Sequence, residues 1–192
     1  MWSNDGGGAG MKKKKTGLVV LFPGMRYSAD CPLLYFAGMK YQGLGYEKIE
    51  ISGYGRTDNQ YSHEEFAERA KKAVEEQMGQ YDFSQYEEIV FVSKSIGTVL
   101  ALWAEESLHM ERVVHVLLTP INLTLSFLTA KCNVRFIVSG TNDKQIDLEN
   151  LERICQKYHL SLKLVKGVGH RLEKTGDADA SLRLLRKLVE QM

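Results

Sequence analysis

A hydroxyl, an imidazole and a carboxylate are the groups that nucleophilic acyl transfer needs, and this chain carries one of each behind separate apolar runs: Ser95, His170 and Asp143. A serine hydroxyl is a weak nucleophile until a base takes its proton. The imidazole that acts as base needs a carboxylate to fix its tautomer and to stabilise the imidazolium. Ser95 lies in Ile89-Val90-Phe91-Val92-Ser93-Lys94-Ser95-Ile96-Gly97-Thr98, where a β-branched strand pattern stops abruptly. The apolar, helix-favouring stretch Val99–Ala104 follows at once. A strand that turns this sharply into a helix forces its central residue out of regular geometry and leaves the hydroxyl exposed. The N–H groups opening the helix then point to the place where negative charge develops during acyl transfer. Asp143 closes the segment Ser139-Gly140-Thr141-Asn142-Asp143, and His170 sits within Gly167-Val168-Gly169-His170-Arg171.

The elements that must position these residues follow from hydrophobic periodicity. Six short apolar runs read as strands: Leu18–Phe22, Lys48–Ser52, Ile89–Val92, Val113–Leu118, Val134–Val138 and Ser161–Val165. Most are apolar almost throughout instead of alternating, as expected of strands covered on both faces. Between them lie amphipathic stretches. One opens with the capping-box pattern Ser62-His63-Glu64-Glu65 and continues through Phe66, Ala70, Ala73, Val74 and Met78. Leu148, Leu151, Ile154 and Tyr158 form a second stripe, and Leu182, Leu185, Leu188, Val189 and Met192 a third. Strict alternation predicts an α/β fold, a three-layer α/β/α sandwich around a mostly parallel six-stranded sheet. Ligands of such sheets sit at the carboxyl ends of the strands, where all three chemical groups fall. Residues 1–15 read as a flexible tail, with residues 1–10 linker-like and Met11 a candidate native start, and residues 16–192 as a single domain. The polar loop Gly53–Tyr61, with Arg56, Thr57, Asp58 and Asn59, carries no element signal.

The chain order Ser…Asp…His around a serine-centred turn resembles the α/β-hydrolase superfamily over residues 17–192. The resemblance implies Ser95 as nucleophile, His170 as general acid–base and Asp143 as its orienting acid. It implies an oxyanion hole from the backbone N–H groups of Ile96 and Met25. Two departures from the family pattern stand out: Ser93 replaces the first glycine of the nucleophile elbow while Gly97 keeps the second, and Pro23-Gly24 stands where many relatives carry His-Gly. The family's leading antiparallel strands and its cap domain are missing, which implies a small α/β-hydrolase fold without a cap domain.

Competing assignments are weighed residue by residue. Serine also favours helix N-caps, so Ser95 has a purely structural reading. His63 lies in a capped first helical turn, His109 at a helix end and His159 just before a strand, while His115 sits inside a strand as a core histidine. Asp147 and Glu149 read as the opening turn of the next helix, with Asp147 held as the substitute acid. Gly24, Arg26, Tyr27 and Lys94 neighbour the site and are candidates to line a substrate pocket; Asp30 and Tyr35 share that neighbourhood. Arg26, Lys94 and Arg171 would favour an anionic group if they face the cleft, and otherwise are solvated charges.

Composition narrows the function further. With 44% hydrophobic and 26% charged residues, a net charge of +1 and one basic run at Lys12–Lys15, nothing calls for nucleic acid. Three widely spaced cysteines (Cys31, Cys132, Cys155) argue for reduced thiols in a cytoplasmic setting, against a metal site. Leu18–Phe22 is too short for a membrane span. No glycine-rich phosphate loop follows the first strand, which excludes a nucleotide-binding domain. The expectation is a cofactor-free serine hydrolase cleaving an ester or thioester of a small soluble acyl group. Its alternatives are a catalytically silent binding module on the same fold, or an acyltransferase using the same triad.

Overall fold

All six apolar runs form strands. The computed structural model describes residues 15–54 and 63–192; Ser62, Arg56–Asn59 and residues 1–14 of the expected tail lie outside these. The strands are β1 (Lys15–Phe22), β2 (Tyr46–Glu50), β3 (Tyr86–Lys94), β4 (Val113–Leu118), β5 (Val134–Gly140) and β6 (Leu162–Val165). They pair in the order β2-β1-β3-β4-β5-β6, and every pair is parallel. Among the described residues, five α-helices accompany them: α1 (Pro32–Gly43), α2 (His63–Met78), α3 (Ile96–Ser107), α4 (Leu148–Tyr158) and α5 (Ala178–Gln191). A short 3₁₀ turn, Asn122–Ser126, takes the place of a helix between β4 and β5.

Alternation along the central strands divides the core into the two outer layers. Val19, Leu21, Val90 and Val92 pack with Leu33, Leu34, Ala37 and Tyr41 of α1 and Leu188 of α5. Leu18, Val20, Phe22, Ile89 and Phe91 point the other way, onto Ala70 and Val74 of α2 and Leu100, Ala101 and Ala104 of α3. A third cluster under α4 joins Leu151 and Cys155 to Leu117, Ile137 and Leu102. Side chains of this size stabilise the fold by about 1.5–3 kcal/mol each on full burial.

The observed elements exceed the apolar runs where hydrogen bonding outlasts hydrophobicity. β3 extends through the polar pair Ser93-Lys94 because both of its neighbours continue alongside: Phe22 pairs with Ser93, and Leu118 with Lys94. Helix α1 carries no polar stripe to announce it. Its buried face holds Leu33, Leu34, Ala37 and Tyr41, yet its exposed face holds Tyr35, Phe36 and Met39. What marks it is Pro32 in the first turn, where a missing N–H costs nothing.

The strand order matters for chemistry. From β1 the chain steps to β2 on one side, then returns to β3 on the other, so a crevice opens between the carboxyl ends of β1 and β3. The segments after β4, β5 and β6 emerge along the same edge.

Candidate active site

The crevice between β1 and β3 is where the serine stands. Ser95 follows β3 directly with φ 57° and ψ −124°, a region that non-glycine residues rarely enter, and α3 starts at the next residue. The strained turn is pinned on the strand side by the Ser95 N–H, which donates to the Leu118 carbonyl at 3.0 Å. On the helix side, the Ser95 carbonyl accepts from the Thr98 hydroxyl at 2.6 Å. The first turn of α3 also presses on the end of β1. A Cβ at Gly97 would stand 2.2 Å from the Phe22 carbonyl oxygen and 2.5 Å from that of Pro23. Glycine is therefore obligatory at this contact, whereas Ser93 is accommodated at the other elbow position. Its hydroxyl is fully buried and donates to the Val116 carbonyl at 3.3 Å.

The segment after β1 closes the other side of the crevice. Gly24 and Tyr27 exchange backbone hydrogen bonds, which leaves Met25 and Arg26 exposed at the tip of the turn. Tyr54, driven to stay a neutral phenol by burial, donates its hydroxyl to the Pro23 carbonyl at 3.0 Å and clamps this turn from behind.

Two further loops bring the base and the acid together. The segments after β5 and β6 are laced by backbone bonds: Thr141 N–H to the Val165 carbonyl at 3.0 Å, and Asn142 N–H to the Val168 carbonyl at 2.9 Å. A Cβ at Gly140 would overlap the Val168 carbonyl oxygen at 2.2 Å, so this approach too depends on a missing side chain. The result is a continuous chain of hydrogen bonds. His170 Nδ1 lies 2.8 Å from Asp143 Oδ2, and His170 Nε2 lies 2.8 Å from Ser95 Oγ.

The charge state of Asp143 orders that chain. Burial pushes its carboxyl up, but the hydrogen bonds from His170 and the Gln145 N–H, with His170 and Lys94 nearby, bring it below the ordinary carboxylate range. An ionised carboxylate only accepts, so the imidazole proton sits on Nδ1. In the neutral imidazole, Nε2 is then the acceptor facing the Ser95 hydroxyl.

The remaining candidates are distributed as follows. Lys94 and Tyr27, weighed from the sequence as pocket-lining groups, are both buried with their polar atoms engaged by protein groups. The Tyr27 hydroxyl accepts from the Leu33 N–H at 2.9 Å, and burial raises its ionisation to about 12. Arg171 is exposed and paired with Glu173 at 2.9 Å. The Asp147 carboxylate is occupied as the cap of α4, accepting from the Asn150 N–H at 3.1 Å. His115 is enclosed in β4 with Nε2 2.8 Å from Glu105, while His109 and His159 take left-handed positions at helix ends. Cys31 stands at the N-cap of α1, partly buried, and all three cysteines are free. Sequence reasoning did not single out Thr119, whose hydroxyl accepts from the Lys94 ammonium. It directly follows the apolar strand β4, with no local signal.

No family model and no curated protein matches this sequence. Solved structures do resemble it. An α/β serine hydrolase homologue from Coxiella burnetii superposes with a TM-score of 0.60 at 16% identity, covering 96% of this chain and 88% of that one. A putative α/β-hydrolase from Agrobacterium tumefaciens gives 0.60 at 15% identity, with 93% and 84% covered. The fold is that of the α/β-hydrolases. A third structure, from Xanthomonas campestris, is described as an α/β serine hydrolase without a lid; it gives a TM-score of 0.55 at 13% identity, with 95% and 83% covered. Among the described residues of this hydrolase fold, no inserted domain separates the strands and no helix is long and apolar enough to cross a membrane.

Two outcomes follow from the site's geometry. Gly97→Ala puts a methyl against two backbone carbonyls that no rotamer change relieves; urea denaturation should show a loss of roughly 1–3 kcal/mol. Asp143 carries a folded-state value below its unfolded one, so its contribution to stability is present above about pH 4 and lost as pH falls through the folded value. Acid titration followed by circular dichroism should show that loss in the wild type and a shallower one in Asp143→Asn.

Proposed function

We propose that this protein is a serine hydrolase that cleaves an ester or thioester of a small, soluble acyl group through an acyl-enzyme. The observation that carries the reading is the unbroken hydrogen-bond chain from Ser95 Oγ through His170 to Asp143, with 2.8 Å at both links. In the proposed mechanism, Ser95 Oγ attacks the substrate carbonyl as its proton passes to His170 Nε2. Asp143 stays ionised and holds the imidazolium that forms. The new Oγ–C bond makes a tetrahedral oxyanion, met by the N–H of Ile96 and the N–H of Met25. Its collapse breaks the bond to the leaving alkoxide or thiolate, which takes the proton from His170. Water, deprotonated at the same nitrogen, then releases the acid and restores Ser95.

The strained φ of Ser95 supports the nucleophile role over that of an ordinary N-cap, since its side chain makes no capping bond to α3. The exposed Met25–Arg26 turn beside it supports an open site suited to short acyl groups. That a structural neighbour is described as a lid-less serine hydrolase agrees with this choice.

A fluorophosphonate probe should form a covalent adduct on Ser95 of the wild type, identified by peptide mass spectrometry, and none in Ser95→Ala. With p-nitrophenyl acetate, His170→Gln should lower kcat/KM by about 10⁴–10⁶-fold. Well-folded wild type that takes no probe would leave a binding module on a hydrolase fold. A panel of short p-nitrophenyl esters and acyl thioesters then ranks substrate classes.

A further inference from the structure

Lys94 carries a cation into the interior directly beside the proposed triad. It continues the Val90–Val92 face of β3 toward α1 and is 1% exposed. Its ammonium donates to the main-chain carbonyl of His170 at 2.7 Å and to the Thr119 hydroxyl, and it lies 5.1 Å from the centre of the Tyr27 ring. These partners belong to three different segments, those following β6, β4 and β1. Lys94 itself immediately precedes Ser95. One buried group therefore ties the residue before the nucleophile to the loop that carries the base.

We propose that Lys94 is a positioning residue of this site: by gripping the His170 carbonyl and the Thr119 hydroxyl, its ammonium holds the imidazole at hydrogen-bond distance from Ser95. The inference rests on the triad reading above. An ammonium suits the task because it offers three donors and no acceptor. A carbonyl, a hydroxyl and an aromatic face are the three surfaces on hand. A lysine is costly at this depth, and the negative charge of Asp143 partly offsets the cost.

The grip is sensitive to pH. Burial lowers the Lys94 ammonium to about 7 against the opposing pull of Asp143. Among the other facing groups, Arg171 lowers it further, while Glu173 and Cys31 raise it; Tyr27 and the His170 carbonyl complete its surroundings. Below that point the ammonium makes charge-assisted bonds. Above it a neutral amine keeps only weaker ones, and the His170 loop is held less firmly. Stability runs the opposite way. The folded value lies below the unfolded one near 10.5, so between the two the unfolded chain binds more protons and this group's contribution to stability rises with pH. A fall in reactivity over that window is then separable from unfolding.

The test combines carbon NMR of protein labelled at the lysine ε-carbon with the rate of fluorophosphonate labelling, both from about pH 6 to pH 9. One lysine should titrate near neutrality and be missing in Lys94→Met. Relative to Lys94→Arg at the same pH, which stays protonated and shares the His170 dependence, wild-type labelling should fall about tenfold over the same window, the effect of losing one charge-assisted bond. Lys94→Met should label more slowly than Lys94→Arg at both ends. If Lys94→Met does not fold, the wild type decides: the lysine titration and the fall in rate relative to Lys94→Arg must coincide. A Lys94 that ionises only near 10.5, or a Lys94→Met that labels like the wild type throughout, overturns the proposal. A wild type that never labels overturns the catalytic reading alone. The grip is then judged by the His170 ring signals, which must move with the Lys94 titration in the wild type for the proposal to stand.

Discussion

Where the first turn of α3 meets the end of β1, two backbones come closer than any side chain permits. Gly97 makes that approach possible, with the Phe22 and Pro23 carbonyls occupying the space a Cβ would take. The contact fixes where the helix begins relative to the strand, and so forces Ser95 into its positive-φ conformation. It also brings the Gly24–Tyr27 turn alongside the serine. The direction of the hydroxyl, the start of α3 and the position of the Met25 N–H all depend on this one approach. Tyr54 reinforces it from behind through the Pro23 carbonyl.

Strain accumulates around the same edge of the sheet. Ser95, Thr119 and Leu172 all have positive φ, at 57°, 44° and 59°. Conformations of this kind cost of order 1–3 kcal/mol each. Each is held by a backbone hydrogen bond: Ser95 N–H to Leu118, Thr119 N–H to Val138 and Leu172 N–H to Gly169, at 2.7–3.0 Å. The rigid support is the sheet beneath, whose central strands are buried on both faces. A loop site built on such a base can hold side-chain geometry that isolated loops cannot.

Buried charge follows a similar logic. Asp143 is 5% exposed and Lys94 1%, and each would be prohibitive alone. Asp143 is satisfied by His170 and the Gln145 N–H, Lys94 by a carbonyl and a hydroxyl. Their mutual attraction opposes the desolvation of both. Polar groups at this edge thus come as a connected set drawn from the ends of β1, β3, β4, β5 and β6.

Much of this was legible in the residues. Buried parallel strands need continuous apolar runs, so all six could be located, and the alternation with helical stretches dictated the layered sheet. A strand halted at Ser-Lys-Ser-Ile-Gly marked the turn, and the ends of β5 and β6 marked where Asp143 and His170 would lie. Helix α1 escaped because aromatic and aliphatic residues occupy both of its faces, erasing the period that announces a helix. The surroundings of Lys94 could not be read either. A lysine beside a chemical group is ordinarily a solvated charge, and the groups that enclose it come from segments after β1, β4 and β6. Local patterning encodes which residues form strands and turns, because burial and backbone geometry act over a few residues. Which side chains meet across the sheet edge was decided only by tertiary packing, because parallel pairing joins strand ends that are far apart in the chain.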